Sequence, residues 1–170
     1  PYIPGGTLAG LLSHGSLPLT RIRDIITQVG EALNYAHAHG LIHRDVKPSN
    51  VLIDESGICR LTDFGLARMV DTSLNLTVSG AVVGTPAYMS PEQGTGQKVD
   101  ARSDIYSLGV VFYELVTGRK PFMADTPFAL VMKHINDPLP RPRNFAPDLP
   151  DEVEQVIYKA LAKDPAGRYP

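Results

Sequence analysis

Over residues 19–39 apolar side chains recur every three or four positions, at Ile22, Ile25, Ile26, Val29, Leu33 and Ala36. That spacing predicts one face of an amphipathic helix of about five to six turns. Gly40 follows it, where a left-handed C-terminal cap costs no side-chain clash. A shorter helix is predicted to start at Thr7, whose hydroxyl can cap it. Two short apolar runs, Val51-Leu52-Ile53 and Ile58-Cys59-Arg60-Leu61, joined through Glu55-Ser56-Gly57, predict a β-hairpin. Cys59 within it reads as a buried small apolar residue. Over residues 101–117 the apolar positions Ile105, Leu108, Val111, Phe112, Leu115 and Val116 predict a helix buried on most sides and ended by Gly118. Further helices are expected around residues 127–135 and from Asp151 through Ala162, the second with carboxylates at its positive end. The proline-rich residues 138–150 read as a loop. Residues 66–100 show neither period, and so long an irregular stretch in a compact domain is usually functional. The predicted class is α+β, mostly α, with one small hairpin.

Composition narrows the function classes. The 170 residues carry 16 basic and 18 acidic side chains, a net charge of -2, which argues against nucleic acid or an anionic membrane as the main partner. Apolar residues at 43% and charged residues at 20% describe a globular domain. A single cysteine allows no internal disulfide and no cysteine pair for zinc. No apolar stretch approaches the ~18–20 residues needed to span a bilayer, so this segment is expected to be cytoplasmic, with anchoring elsewhere in a longer chain left open. The chain opens without methionine and stops just beyond a helix, and it is expected to be part of a longer protein.

The strongest local signal is His43-Arg44-Asp45-Val46-Lys47-Pro48-Ser49-Asn50, between the long helix and the hairpin. Asp63-Phe64-Gly65 follows the hairpin, and Gly84-Thr85-Pro86-Ala87-Tyr88-Met89-Ser90-Pro91-Glu92 comes later. In this order and spacing the three resemble the signature set of eukaryotic-type serine/threonine protein kinases, bacterial ones in particular. The resemblance runs over essentially the whole chain. The residue types suit the chemistry, because phosphoryl transfer needs positioned carboxylates, a cation near the moving phosphate, and metal. Asp45 can orient a substrate hydroxyl and accept its proton. Lys47 can reach a γ-phosphate as a point charge. Asn50 and Asp63 offer hard oxygen ligands that suit Mg²⁺. Taken singly, each also fits a solvated polar loop.

The resemblance implies more. Lys47 and Thr85 point to serine or threonine as acceptor, Thr85 resembling the family threonine that hydrogen-bonds the catalytic Asp and Lys. ATP and Mg²⁺ are the implied cofactors and protein hydroxyls the implied substrates. Ile3 would give its backbone to adenine and Leu52 would floor the ring. His43 and Phe64 resemble packing residues rather than catalysts, Asp104 an anchor of the catalytic loop, and Glu92 with Arg168 an ion pair pinning the substrate loop. Ser90 stands where the family usually has Ala, a small-for-small change expected to matter little. Arg44 beside Asp45 implies a phosphate on the loop, with Thr77 and Ser79 as the favoured sites. No Gly-x-Gly-x-x-Gly loop or strand lysine is found, so residues 1–170 are expected to be a hinge plus the large C-lobe, cut before its last helix and lacking the N-lobe partner. Such a fragment is expected to be inactive alone and to expose a contiguous apolar patch around Ile3, Leu52 and Phe64 that drives self-association. The alternatives are a non-catalytic, pseudokinase-like binding lobe and a small-molecule phosphotransferase; residues 84–92, which resemble a protein-substrate platform, speak against the second.

Overall fold

The structure, a computed structural model describing residues 5–64 and 86–170, places strand β1 at Gly5–Thr7, helix α1 at Leu8–Leu12 and helix α2 at Leu19–Ala38. Strands β2 (Val51–Asp54) and β3 (Cys59–Leu61) follow, then helices α3 (Pro91–Gly94), α4 (Ala101–Thr117), α5 (Pro127–Asn136) and α6 (Asp151–Ala160). Of the stripe predicted for α2, the helix buries Ile22, Ile25, Val29, Leu33 and Ala36 and half-buries Ile26, and it packs against α4. Gly40, with φ at 74°, follows the end of α2. Thr7 caps α1 as expected, its hydroxyl accepting from the Gly10 N–H at 3.1 Å.

Helix α4 is the centre of the core, burying Tyr106, Leu108, Val110, Val111, Phe112, Tyr113 and Leu115. Gly109 lets α6 approach closely, since a Cβ there would lie 2.9 Å from that of Ala160. Gly118 ends α4 with φ at 72°. Tyr88, just before α3, donates from its hydroxyl to Glu114 Oε2 at 2.6 Å, fastening the preceding 3₁₀ turn (Pro86–Tyr88) to α4.

The expected hairpin is extended by one strand. The sheet order is β1-β2-β3, antiparallel throughout, with Thr7 opposite Leu52 and Leu52 opposite Arg60. Three residues, two of them glycine, are too few to show a period, so β1 exists through its pairing with β2 rather than through local preference. Cys59 is half-buried rather than buried, because β3 is an edge strand whose Cys59 N–H is taken by Gln28 Oε1 of α2 at 2.9 Å. Two segments read as loop carry regular turns: α3 lies within 66–100, and a 3₁₀ turn (Pro142–Asn144) interrupts the proline-rich stretch. The last helix stops at Ala160, two residues short of the expected end.

Candidate active site

The loop between α2 and β2 is organised by one buried carboxylate. Asp104, in the first turn of α4, is fully buried and accepts the His43 N–H at 2.8 Å on Oδ2 and the Arg44 N–H at 2.7 Å on Oδ1. His37 of α2 donates from Nε2 to Oδ2 at 2.8 Å. Three donors offset the desolvation that a buried carboxylate would otherwise suffer. They fix the loop's backbone to the two central helices. The expected anchoring by Asp104 therefore appears in the geometry, with His37 as an additional partner.

On that backbone Asp45, Lys47 and Asn50 converge. Lys47 Nζ donates to Asp45 Oδ2 at 2.7 Å, and Asn50 Nδ2 donates to the Asp45 carbonyl at 2.8 Å and to Oδ2 at 3.2 Å. Both partners of the Asn50 amide nitrogen accept only, which fixes the amide's orientation. Among the described residues these side-chain contacts fall on Oδ2 of Asp45 and none falls on Oδ1. The 3₁₀ turn Pro48–Asn50 carries Asn50 inward, and the Asn50 carbonyl accepts the Thr62 N–H at 2.9 Å and its hydroxyl at 3.2 Å. Asp63 thus follows a residue bonded directly to Asn50.

Asp63 itself is exposed, with φ at 58°. Arg44 has φ at 67°, and these two are the non-glycine residues of positive φ among those described. Left-handed backbone at such residues persists only where its surroundings hold it, and it clusters at functional sites. With Asn50 Nδ2 committed to Asp45, the Asn50 side-chain oxygen and the exposed Asp63 carboxylate are the groups that fit a hard cation. A pair of oxygen ligands completed by phosphate and water suits Mg²⁺.

His43 is fully buried and is a packing residue. Its ring lies 4.6 Å from that of Phe64. Nδ1 accepts the Asp45 N–H at 3.2 Å, which puts the ring proton on Nε2, and that donates to the Thr62 carbonyl at 2.8 Å. One imidazole thereby joins the segment before Asp45 to the segment before Asp63.

The Glu92–Arg168 pair is present. Arg168 Nη1 and Nη2 donate to Glu92 Oε1 and Oε2 at 2.6 and 2.9 Å, and Ser103 Oγ donates to Oε1 at 2.6 Å. Burial alone would raise the Glu92 carboxyl, but the bonds from Arg168 and Ser103 outweigh it and hold it below the usual range. Ser90, where the family usually has Ala, has a local role of its own. Ser90 is the N-cap of α3, its Oγ accepting the Gln93 N–H at 3.4 Å, while Gln93 Oε1 accepts the Ser90 N–H at 3.0 Å. That is a capping box, which an alanine could not form.

Of the other expected site residues, Ile3, Thr77, Ser79 and Thr85 lie outside the described residues. Leu52 lies in the central strand between Thr7 and Arg60 and is half-buried, and Phe64 is half-buried with its ring against that of His43. The apolar patch expected around Ile3, Leu52 and Phe64 falls partly outside the described residues, and its two described members are half-buried. No helix of the described residues is long and apolar enough to cross a membrane.

A model of the protein kinase domain matches residues 1–170. Among curated proteins, the chain is 46% identical over 171 residues to serine/threonine-protein kinase PknB of Mycolicibacterium smegmatis, an alignment covering 99% of this chain and 27% of that protein. It is 42% identical over 170 residues to PknB of Mycobacterium leprae, covering 99% and 27% respectively. A probable serine/threonine-protein kinase of Clostridium acetobutylicum is 41% identical over 169 residues, covering 99% and 26%. The chain spans about a quarter of the length of these relatives.

Proposed function

The chain belongs to the protein kinase family, and on that premise we propose that it is the hinge and large lobe of a serine/threonine protein kinase, which transfers the γ-phosphoryl group of Mg-ATP to protein hydroxyls. The observation that carries this reading is the treatment of Asp45. Lys47 and Asn50 both hold Oδ2, which orients the carboxylate and keeps Oδ1 for a substrate hydroxyl. As the hydroxyl oxygen bonds to phosphorus and the bond to the leaving phosphate breaks, Asp45 accepts the hydroxyl proton. Lys47, already 2.7 Å from that carboxylate, supplies positive charge beside the transferred group. Asn50 and Asp63 would hold Mg²⁺, whose charge offsets that of the phosphates. Leu52 and the backbone of Ile3 would border the adenine.

The relatives' printed names support serine or threonine as the acceptor. Lys47 and Thr85 agree with it by resemblance. Arg44 supports control by phosphorylation at Thr77 or Ser79: its Nε is buried and lacks a hydrogen-bond partner among the described residues, as expected of a cation that awaits an anion. The test of function is acceptor analysis on the full-length protein. Incubation with labelled Mg-ATP and a protein substrate should place label on serine and threonine. Label on tyrosine alone, or no transfer by a folded protein, would overturn the reading.

A further inference from the structure

The residue before Asp45 is held in a strained conformation from both sides. Arg44, at φ 67°, gives its N–H to Asp104 Oδ1 at 2.7 Å. Its carbonyl accepts from Gln93 Nε2 at 2.9 Å, although the two residues lie 49 positions apart. The carbonyl of Arg44 and the N–H of Asp45 belong to one peptide plane, which is rigid. Its N–H pole is bonded to His43 Nδ1 at 3.2 Å and its C=O pole to Gln93. The plane that leads into Asp45 is therefore pinned at both ends by side chains, and the second pin comes from α3.

Gln93 is shaped for this contact. Its Oε1 accepts from the Ser90 N–H at 3.0 Å and from Ser90 Oγ at 3.1 Å, so its nitrogen must be the end that meets Arg44. Both residues are buried, and the short helix that carries them is anchored through the neighbouring Glu92 to Ser103 and Arg168.

We infer that Gln93 is a positioning residue for the reaction: it sets the peptide plane preceding Asp45 and couples the placement of α3 to the aim of that carboxylate. The inference rests on the kinase reading of Asp45. It gives the Ser90–Gln93 pair a role beyond helix capping, since the cap is what presents the donor. A left-handed Arg44 released at its carbonyl can relax, and rotation of that plane carries Asp45 with it.

Two variants of the full-length kinase test this. Gln93→Glu keeps an acceptor for Ser90 but loses the donor, and Gln93→Leu removes both. Backbone hydrogen exchange over residues 44–46 should quicken at least about tenfold in both, while α2 and α4 keep their protection. At pH 8 the Gln93→Glu variant should lose about tenfold in kcat with KM for ATP within about twofold. Its deficit, relative to the unsubstituted protein at the same pH, should narrow as pH falls, because a protonated carboxyl can donate to the Arg44 carbonyl. Gln93→Leu should show the deficit at every pH. Unchanged exchange at 44–46, a deficit in Gln93→Glu that ignores pH, or a uniform loss of protection across the core would each overturn the inference. If the unsubstituted protein transfers no phosphate while residues 44–46 still loosen in the variants, the kinase reading fails and the clamp stands.

Discussion

Arg168 and Glu92, 76 residues apart, meet through two parallel hydrogen bonds of 2.6 and 2.9 Å with both side chains out of solvent. The fork geometry matches guanidinium to carboxylate, and Arg168 also donates to the carbonyls of Ala162, Arg102 and Lys163. The pair fastens α3 to α4 and to the end of the chain.

Removing one partner leaves a buried charge uncompensated. Arg168→Ala is expected to cost about 3–5 kcal/mol of stability. Arg168→Lys should recover only part of this, because an ammonium lacks the planar fork. Urea unfolding checks both, and a loss under about 1 kcal/mol for Arg168→Ala would show the pair to be incidental.

Acid should weaken the fold before the carboxylates titrate. Burial first, and then the nearby charge of Lys163, push the His134 imidazole from 6.5 down to about 4. The unfolded chain takes up this proton as pH falls past 6.5, the folded chain only near 4. Stability from the neutral ring is therefore whole above 6.5 and is lost as pH falls towards 4, by about 3 kcal/mol over that window. Glu92, held low, adds a loss in the same direction at still lower pH. Denaturation midpoints between pH 7 and 4.5 should show the slope. His134→Gln should flatten it, and an unchanged slope would reject the assignment.

The Asp45 carboxylate is assigned the proton-accepting role. In the full-length protein Asp45→Asn should keep the fold and nucleotide affinity while lowering kcat by about two orders of magnitude or more. Asp63→Ala should instead abolish the response of turnover to added Mg²⁺. Near-full activity of Asp45→Asn would remove Asp45 from the mechanism.

Much of this was legible in the chain, for identifiable reasons. Helices α2 and α4 are long enough for a 3.6-residue period to declare itself, and their predicted apolar residues are largely buried, with Ile26, Ile105 and Val116 only half-buried. Asp45, Lys47 and Asn50 lie within six residues, so their meeting follows from one short loop. His37 was not found, because a histidine on an amphipathic helix reads as surface and its partner is 67 residues away. The capping role of Ser90 is also written locally, since glutamine three residues later is the sequence mark of a capping box.

Arg44 supplies the test of control. If a phosphate on Thr77 or Ser79 meets its guanidinium, replacing both residues by alanine should lower the activity of the full-length kinase several-fold or more. Mass spectrometry after incubation with Mg-ATP should locate phosphate on this segment. An active preparation with no modification there would refute activation by this route.

Asp104 offers the sharpest separation of anchoring from chemistry. Its two oxygens accept three hydrogen bonds, from the backbones of His43 and Arg44 and the ring of His37. Asp104→Asn keeps the volume but offers one acceptor oxygen, so an amide N–H₂ must face a donor. At least one buried donor is left unpaired, at about 1–3 kcal/mol. His37→Phe removes only the ring donor and leaves both backbone N–H groups bonded, so its effect on turnover should be the smaller. Asp104→Asn should lower both melting temperature and kcat while KM for ATP changes little, since the groups assigned to adenine lie elsewhere. If His37→Phe lowered kcat as much as Asp104→Asn, the two backbone bonds would not be what holds the loop.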